Sequence, residues 1–204
     1  VSRKLTHTRI CVRYRLNYDE VDDFLFDETK SARLQTPELE KSILALYETT
    51  SWLETARIEA GAMAFQRREL LPVIGEDGVI RLEPNTDETP ARKLVSELMI
   101  LANETAAMFA RDHGIPIVFR SQEKPDIEPS TQALDIPEGP ARDFLQRGGL
   151  KRSLVSTDAL SHFGLGLQAY TQVTSPIRRA TDLVTQHQLI SYLKTRSPRF
   201  SKEE

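Results

Sequence analysis

The stretch His162–Asp182, HFGLGLQAYTQVTSPIRRATD, constrains this chain more than any other. Gly164 and Gly166 mark a tight turn or a close approach of backbone to a neighbour, since only glycine tolerates both at little cost. Leu165, Leu167, Ala169, Thr171 and Val173 alternate with more polar residues, which predicts a strand. Ser175 suits an N-cap. Pro176 suits the first helical position, where its missing N–H would have no partner anyway. The predicted helix then opens with Arg178 and Arg179 beside free backbone N–H groups. That combination fits an anion, because the helix dipole, the open amides and a guanidinium fork all favour a phosphate. A capped helix whose arginines are solvated or paired with carboxylates satisfies the same residues.

The whole stretch resembles the signature of the RNB catalytic domain of the ribonuclease II / ribonuclease R family, HFGL-x-L-x-x-Y-T-x-x-TSPIRR-x-x-DL. The matching residues are His162, Phe163, Gly164, Leu165, Leu167, Tyr170, Thr171, Thr174, Ser175, Pro176, Ile177, Arg178, Arg179, Asp182 and Leu183. The chain departs from it at Gln172 and Gln186, where many members have His, and at Ala180, where many have Tyr. Tyr-Thr-Gln at 170–172 is similar to the cyanobacterial and chloroplast branch.

Composition sets outer limits. The 204 residues are 39% hydrophobic and 28% charged, enough for one globular domain with a core or for two small ones. No apolar run approaches membrane-spanning length, and Val1 opens no signal-peptide pattern. Cys11 is the only cysteine, which excludes a disulfide framework within the chain and fits a reducing compartment. A net charge of −3 excludes a general polycation, so any nucleic acid must be met by a local channel rather than a basic surface, and charge alone equally suits no nucleic acid at all.

Along the chain, residues 4–14 are β-branched and partly alternating and predict a strand. A turn from Leu16 leads into a short helix near Val21–Leu25. The carboxylates Asp19, Glu20, Asp22 and Asp23, followed by Asp27 and Glu28, read as the acidic first turn of that helix rather than as a metal site. Thr36-Pro37 caps a second helix with Leu39, Ile43, Leu46, Tyr47, Thr50, Leu53 and Ile58 at helical spacing, ending near Glu59. Tyr47 and Trp52 read as packing residues. Residues 70–82 predict a hairpin turning at 75–78. Thr89-Pro90 caps a long helix that Gly114 ends. Ile115–Arg120 predicts a buried strand, 121–140 a long loop, 141–160 one or two short helices, and Ser197–Glu204 a frayed end.

Further segments carry the resemblance. Arg57–Phe65 is similar to an Arg-x-x-Gly-Ala-x-x-Phe segment whose Phe stacks on the terminal RNA base, which nominates Phe65. Lys93–Asn103 is similar to a Glu-x-Met-x-x-Ala-Asn segment whose Glu lies near the ribose, which nominates Glu97. Read from the residues alone, Phe65 also suits a core, and Glu97 suits a salt bridge to Arg120 or Arg92. Arg120–Pro125 is similar to Arg-x-His-Glu-x-Pro, with Gln122 in place of His.

The resemblance implies an α+β fold, a mixed sheet with several packed helices, in which 1–204 is the carboxy-terminal part of one RNB-like domain. The family's upstream aspartate cluster and flanking OB-fold domains are not in the chain. It implies RNA degradation by a processive 3′→5′ exoribonuclease that hydrolyses single-stranded RNA to nucleoside 5′-monophosphates. Mg²⁺ would be held mainly by residues upstream, with no metal ligand in this chain. Arg178 would be the catalytic contact to the scissile phosphate. Phe65, Glu97, Tyr170, Thr174, Ser175 and Arg179 would join it in binding RNA, with Phe65 and Glu97 on the cavity that Arg178 faces. The location implied is the cytoplasm, or else a chloroplast or mitochondrion, without a membrane. The alternative is a catalytically inactive RNB-like module that binds RNA or proteins. The piece alone is expected not to cleave RNA.

Overall fold

The structure, a computed structural model, describes residues 3–26, 32–63, 69–75, 77–85, 89–126, 136–137 and 140–202. Helix α1, Tyr18–Phe26, opens on a reciprocal cap. The Asn17 amide N–H donates to Glu20 Oε2 at 2.9 Å, and the Glu20 N–H donates to Asn17 Oδ1 at 2.8 Å. Asp22 then reaches across to helix α3, Pro90–Asp112, where its Oδ1 accepts from the Ala91 N–H at 2.8 Å. Glu20 and Asp22 of the acidic run are therefore structural. Its last members, Asp27 and Glu28, lie outside the described residues.

Helix α2, Pro37–Glu59, starts as its sequence predicts, with Thr36 Oγ1 accepting from the Leu39 N–H at 3.2 Å. Val21, Ile43 and Ala91 bring α1, α2 and α3 into one small core, with Leu16, Leu34 and Leu39 packed around it. A second, larger core gathers Ala106, Ala107 and Ala110 from the C-terminal half of α3. It adds Ile115, Ile117, Phe119, Ala169 and Leu189. Three alanines on one helical face let the neighbouring backbone come close. Trp52 does not pack as read from the sequence, because it is 58% exposed.

Strands β1, Glu69–Ile74, and β2, Ile80–Asn85, form the expected hairpin, with Glu69 opposite Asn85 and Ile74 opposite Ile80. Strand β3, Phe119–Ser121, pairs antiparallel with β4, Leu154–Ser156. Helix α4, Pro140–Gly148, precedes β4, and α5, Ala180–Thr195, closes the larger core. The α+β class holds, and among the described residues a parallel bridge joins Gln122 and His162.

Several expectations are corrected. Residues 4–14 form no ladder with any described strand, although they are β-branched. The strand expected over 165–173 is instead a 3₁₀ turn, Phe163–Leu165, followed by isolated bridges, His162 with Leu167 and Thr171 with Phe119. The left-handed Gly166, at φ +65°, reverses the chain before a ladder can extend. Of Ile115–Arg120, only Phe119 and Arg120 enter β3. The end expected to fray is pinned through Arg199 and Phe200. The buried Gln188 side chain donates to Pro116 O and Phe200 O and accepts from the Arg199 and Phe200 amides. No helix among the described residues is long and apolar enough to cross a membrane.

Candidate nucleic-acid interface

The Ser-Pro-Ile-Arg-Arg segment is a turn, not the start of a helix. The Arg178 and Arg179 amides both donate to Ser175 O, at 3.2 and 3.1 Å, and α5 begins only at Ala180 with Arg179 as its N-cap. Ser175 is therefore not the cap, and Pro176 is not at the first helical position. The cause is Asp182 in the first turn of α5. Its fully buried carboxylate accepts from the Ser175 N–H at 2.9 Å and from Arg179 Nη2 at 2.7 Å. It draws the turn back onto the helix and holds Arg179 beside it.

The two arginines consequently differ. Arg179 is committed to Asp182. Arg178 is exposed and makes no side-chain hydrogen bond or ion pair with another described residue. It sits next to Ile177, which is entirely exposed, just before the N-terminus of α5. An unpaired guanidinium there is open to an anion. The Ser175 hydroxyl also has no partner among the described residues, while Thr174 Oγ1 is 3.5 Å from Arg179 Nη2.

Behind the turn lies a layer that sets its position. The Tyr170 hydroxyl accepts from Asn103 Nδ2 at 3.0 Å, and Asn103 Oδ1 accepts from the Val173 N–H at 2.9 Å. Gln186 Nε2 donates to Val173 O at 2.6 Å. Tyr170 is buried, with its ring edge-on to His162 at 5.6 Å. Its surface is spent on this packing, so it positions Val173 rather than presenting itself to a ligand. Burial pushes the His162 imidazole below its ordinary range, and the Arg120 charge adds to that.

Glu97 is buried under Arg57, which grips both carboxylate oxygens through Nε and Nη2 and also donates from Nη1 to Leu165 O at 3.3 Å. Its partner is Arg57, neither Arg120 nor Arg92. Arg120 instead spans Gln172 and Ser153. Glu97 and Arg57 line a cavity of about 190 Å³ with Gly166, and Arg178 is not on its wall. Phe65 lies outside the described residues. Among the described residues, the cavity that Glu97 lines does not reach Arg178.

Both glycines of the signature meet protein. A Cβ on Gly166 would lie 2.9 Å from Ala62 N and from Arg57 O, and one on Gly164 would lie 2.6 Å from Gln122 Oε1. Gln122, in the place of the family's His, accepts from the Gly164 N–H at 2.9 Å and donates to Lys151 O at 2.7 Å. Sequence reasoning missed Arg57, Asn103 and Arg120 as site-building residues. For Asn103 a signal existed, since a lone Asn on an apolar helix face needs a partner. Arg57 lies 40 residues from Glu97, and no local pattern joins them.

Among the described residues, no group of three or more His, Cys, Asp or Glu side chains is placed to hold a metal ion. The carboxylates among the described residues give no donor set that fits Mg²⁺.

The family model described as RNB domain matches residues 1–195. An uncharacterized ribonuclease of Synechocystis sp. is 35% identical over 191 residues, 94% of this chain and 27% of that protein. Escherichia coli ribonuclease R is 31% identical over 208 residues, 88% of this chain and 25% of that protein. The crystal structure of an active-site mutant of the Dss1 exoribonuclease from Candida glabrata superposes with a TM-score of 0.77 at 26% identity. That match covers 93% of this chain and 25% of the other. The chain thus spans about a quarter of the length of the curated relatives it matches.

Proposed function

The chain belongs to the RNB domain family, and from that premise we propose that it is the carboxy-terminal part of the catalytic domain of a processive 3′→5′ exoribonuclease. The substrate is single-stranded RNA and the products are nucleoside 5′-monophosphates. The parent protein works in the cytoplasm, or in a chloroplast or mitochondrion. Mg²⁺ would be held mainly by residues upstream of this chain and would supply the activation of the attacking water. Named ribonucleases among the relatives support the hydrolase class.

The observation that carries the reading is the contrast between Arg178, exposed and unpaired among the described residues, and Arg179, bound to the buried Asp182. A rigidly based turn offers one guanidinium to a phosphate. As a nucleophile adds to phosphorus, negative charge grows on the non-bridging oxygens. A planar fork already in place stabilises that charge without reorganising. Its effect falls on the transition state more than on the bound RNA.

In the full-length protein, Arg178→Lys keeps the charge and loses the fork. Single-turnover cleavage is expected to fall by about 10²-fold, on the scale of a lost oxyanion donor. Equilibrium RNA affinity should change far less, because other phosphate contacts supply most of it. Arg179→Ala is the comparison. It strands a buried carboxylate and is expected to lower stability before chemistry. A near-normal cleavage rate in Arg178→Lys and Arg178→Ala, or a loss matched by weaker binding, would reduce Arg178 to a positioning residue.

A further inference from the structure

The charge of this chain is unevenly spread. Arg3, Lys4, Arg9, Arg13 and Arg15 all precede the first carboxylate, Asp19, in a chain of net charge −3, so the residues from Asp19 onward carry −8. Leu5 packs on the larger core and Leu16 on the smaller one. Residues 6–15 between these anchors are all exposed and, among the described residues, belong to no helix or ladder. Ile10 and Val12 are 80% and 73% exposed. The result is a basic strap tied down at both ends, with its cations held near the surface of an otherwise acidic body.

At its first residues the strap meets an aromatic side chain. Arg3 and Lys4 border an open cavity of about 760 Å³ whose wall includes the exposed Trp52, with Thr49, Leu101 and Thr105. Arg3 is held there by Glu104. Trp52, Leu53, Leu101 and Arg3 also line the smaller cavity at Arg57 and Glu97, so the two spaces join. An exposed indole beside lysine and arginine, in a space large enough for a base, is the chemistry of single-stranded nucleic-acid binding. Cations alone would suit any polyanion. The aromatic wall is what favours RNA over an acidic polypeptide.

We propose that Trp52 and the strap 3–15 form a second RNA-binding surface, separate from the Arg178 turn. One unpaired base stacks on the Trp52 indole beside Arg3 and Lys4, and phosphates further along the strand meet Arg9, Arg13 and Arg15. The inference rests on the RNA reading given above.

The test measures equilibrium binding of a labelled single-stranded oligonucleotide to the chain at several salt concentrations. Trp52→Ala is expected to weaken binding about tenfold, with Trp52→Phe restoring most of it. Changing Arg9, Arg13 and Arg15 together to Gln should lower the salt slope by about 2, at roughly 0.7 per phosphate contact. Cys11, the only cysteine and exposed in the middle of the strap, supplies an independent readout: RNA should slow its alkylation in the unmodified chain. Wild-type affinity and salt slope in these variants, with unprotected Cys11, would overturn the proposal. If the unmodified chain still bound RNA in that case, the RNA reading itself would survive. A wild-type chain that binds no RNA would sink both. A polyglutamate peptide that displaced the RNA, with Trp52→Ala neutral, would assign the strap to an acidic protein partner and so overturn it too.

Discussion

Arg178 and Arg179 are adjacent and chemically identical, and one carboxylate decides between them. Asp182 stands three residues beyond Arg179, within reach of its guanidinium, and leaves Arg178 to solvent. His162 is the residue whose ionisation should be visible in the whole molecule. Its Nδ1 is buried without a partner among the described residues, and its ring packs on Tyr170. Burial, with Arg120, holds its pKa below the ordinary value near 6.5. Below that value the unfolded chain takes up this proton before the folded one does. Stability from neutral His162 is therefore present above about pH 6.5 and is lost as the pH falls toward the lower folded value. Urea-unfolding midpoints should drop between pH 7.5 and 5.5, and drop less in His162→Gln. An equal drop in both would show that other groups take up the protons.

At the scale of elements, similar signals have different outcomes. Thr36-Pro37 and Thr89-Pro90 each start a helix where their sequences predict. Ser175-Pro176 has the same pattern and starts only a turn, because Asp182 takes the Ser175 N–H and folds the turn onto α5. The glycines divide in the same way. Gly114 and Gly166 share the left-handed conformation, at φ +61° and +65°. A Cβ at Gly114 meets open space, whereas one at Gly166 meets the backbone of residues 57–62. Gly114→Ala is expected to cost about 1–2 kcal/mol, the strain of that backbone alone. Gly166→Ala should cost about 2–5 kcal/mol, because overpacking adds to it. Urea denaturation of both variants measures the difference. Equal losses would show that the end of α2 yields to the methyl group.

On the scale of the whole molecule, α3 joins two small cores, and neither core brings carboxylates together. The described carboxylates cap helices, pair with cations or face water. Asp22 caps α3, Glu97 holds Arg57 and Asp182 holds Arg179. With no ligand cluster among the described residues, nothing described in 1–204 lowers the pKa of a water for attack near neutral pH. The 204-residue chain by itself, with labelled single-stranded RNA and Mg²⁺, is expected to release no mononucleotides. Chelator-sensitive release would defeat this and direct attention to Asp23, Asp27 and Glu28.

The sequence by itself determined what depends on neighbours within one turn or on a long fixed spacing: the capped helices, the 75–78 hairpin, the glycine turn and the family. Both kinds of signal are written in consecutive residues, so no knowledge of the fold is needed to read them. Only the tertiary structure decided which of Arg178 and Arg179 is free, what Glu97 grips, and that residues 6–15 lie exposed, outside any described ladder. These outcomes turn on contacts such as Arg57 with Glu97 and Tyr170 with Asn103, 40 and 67 residues apart. A buried charge takes whichever partner the packing brings to it, and packing is a property of the assembled cores rather than of any one segment.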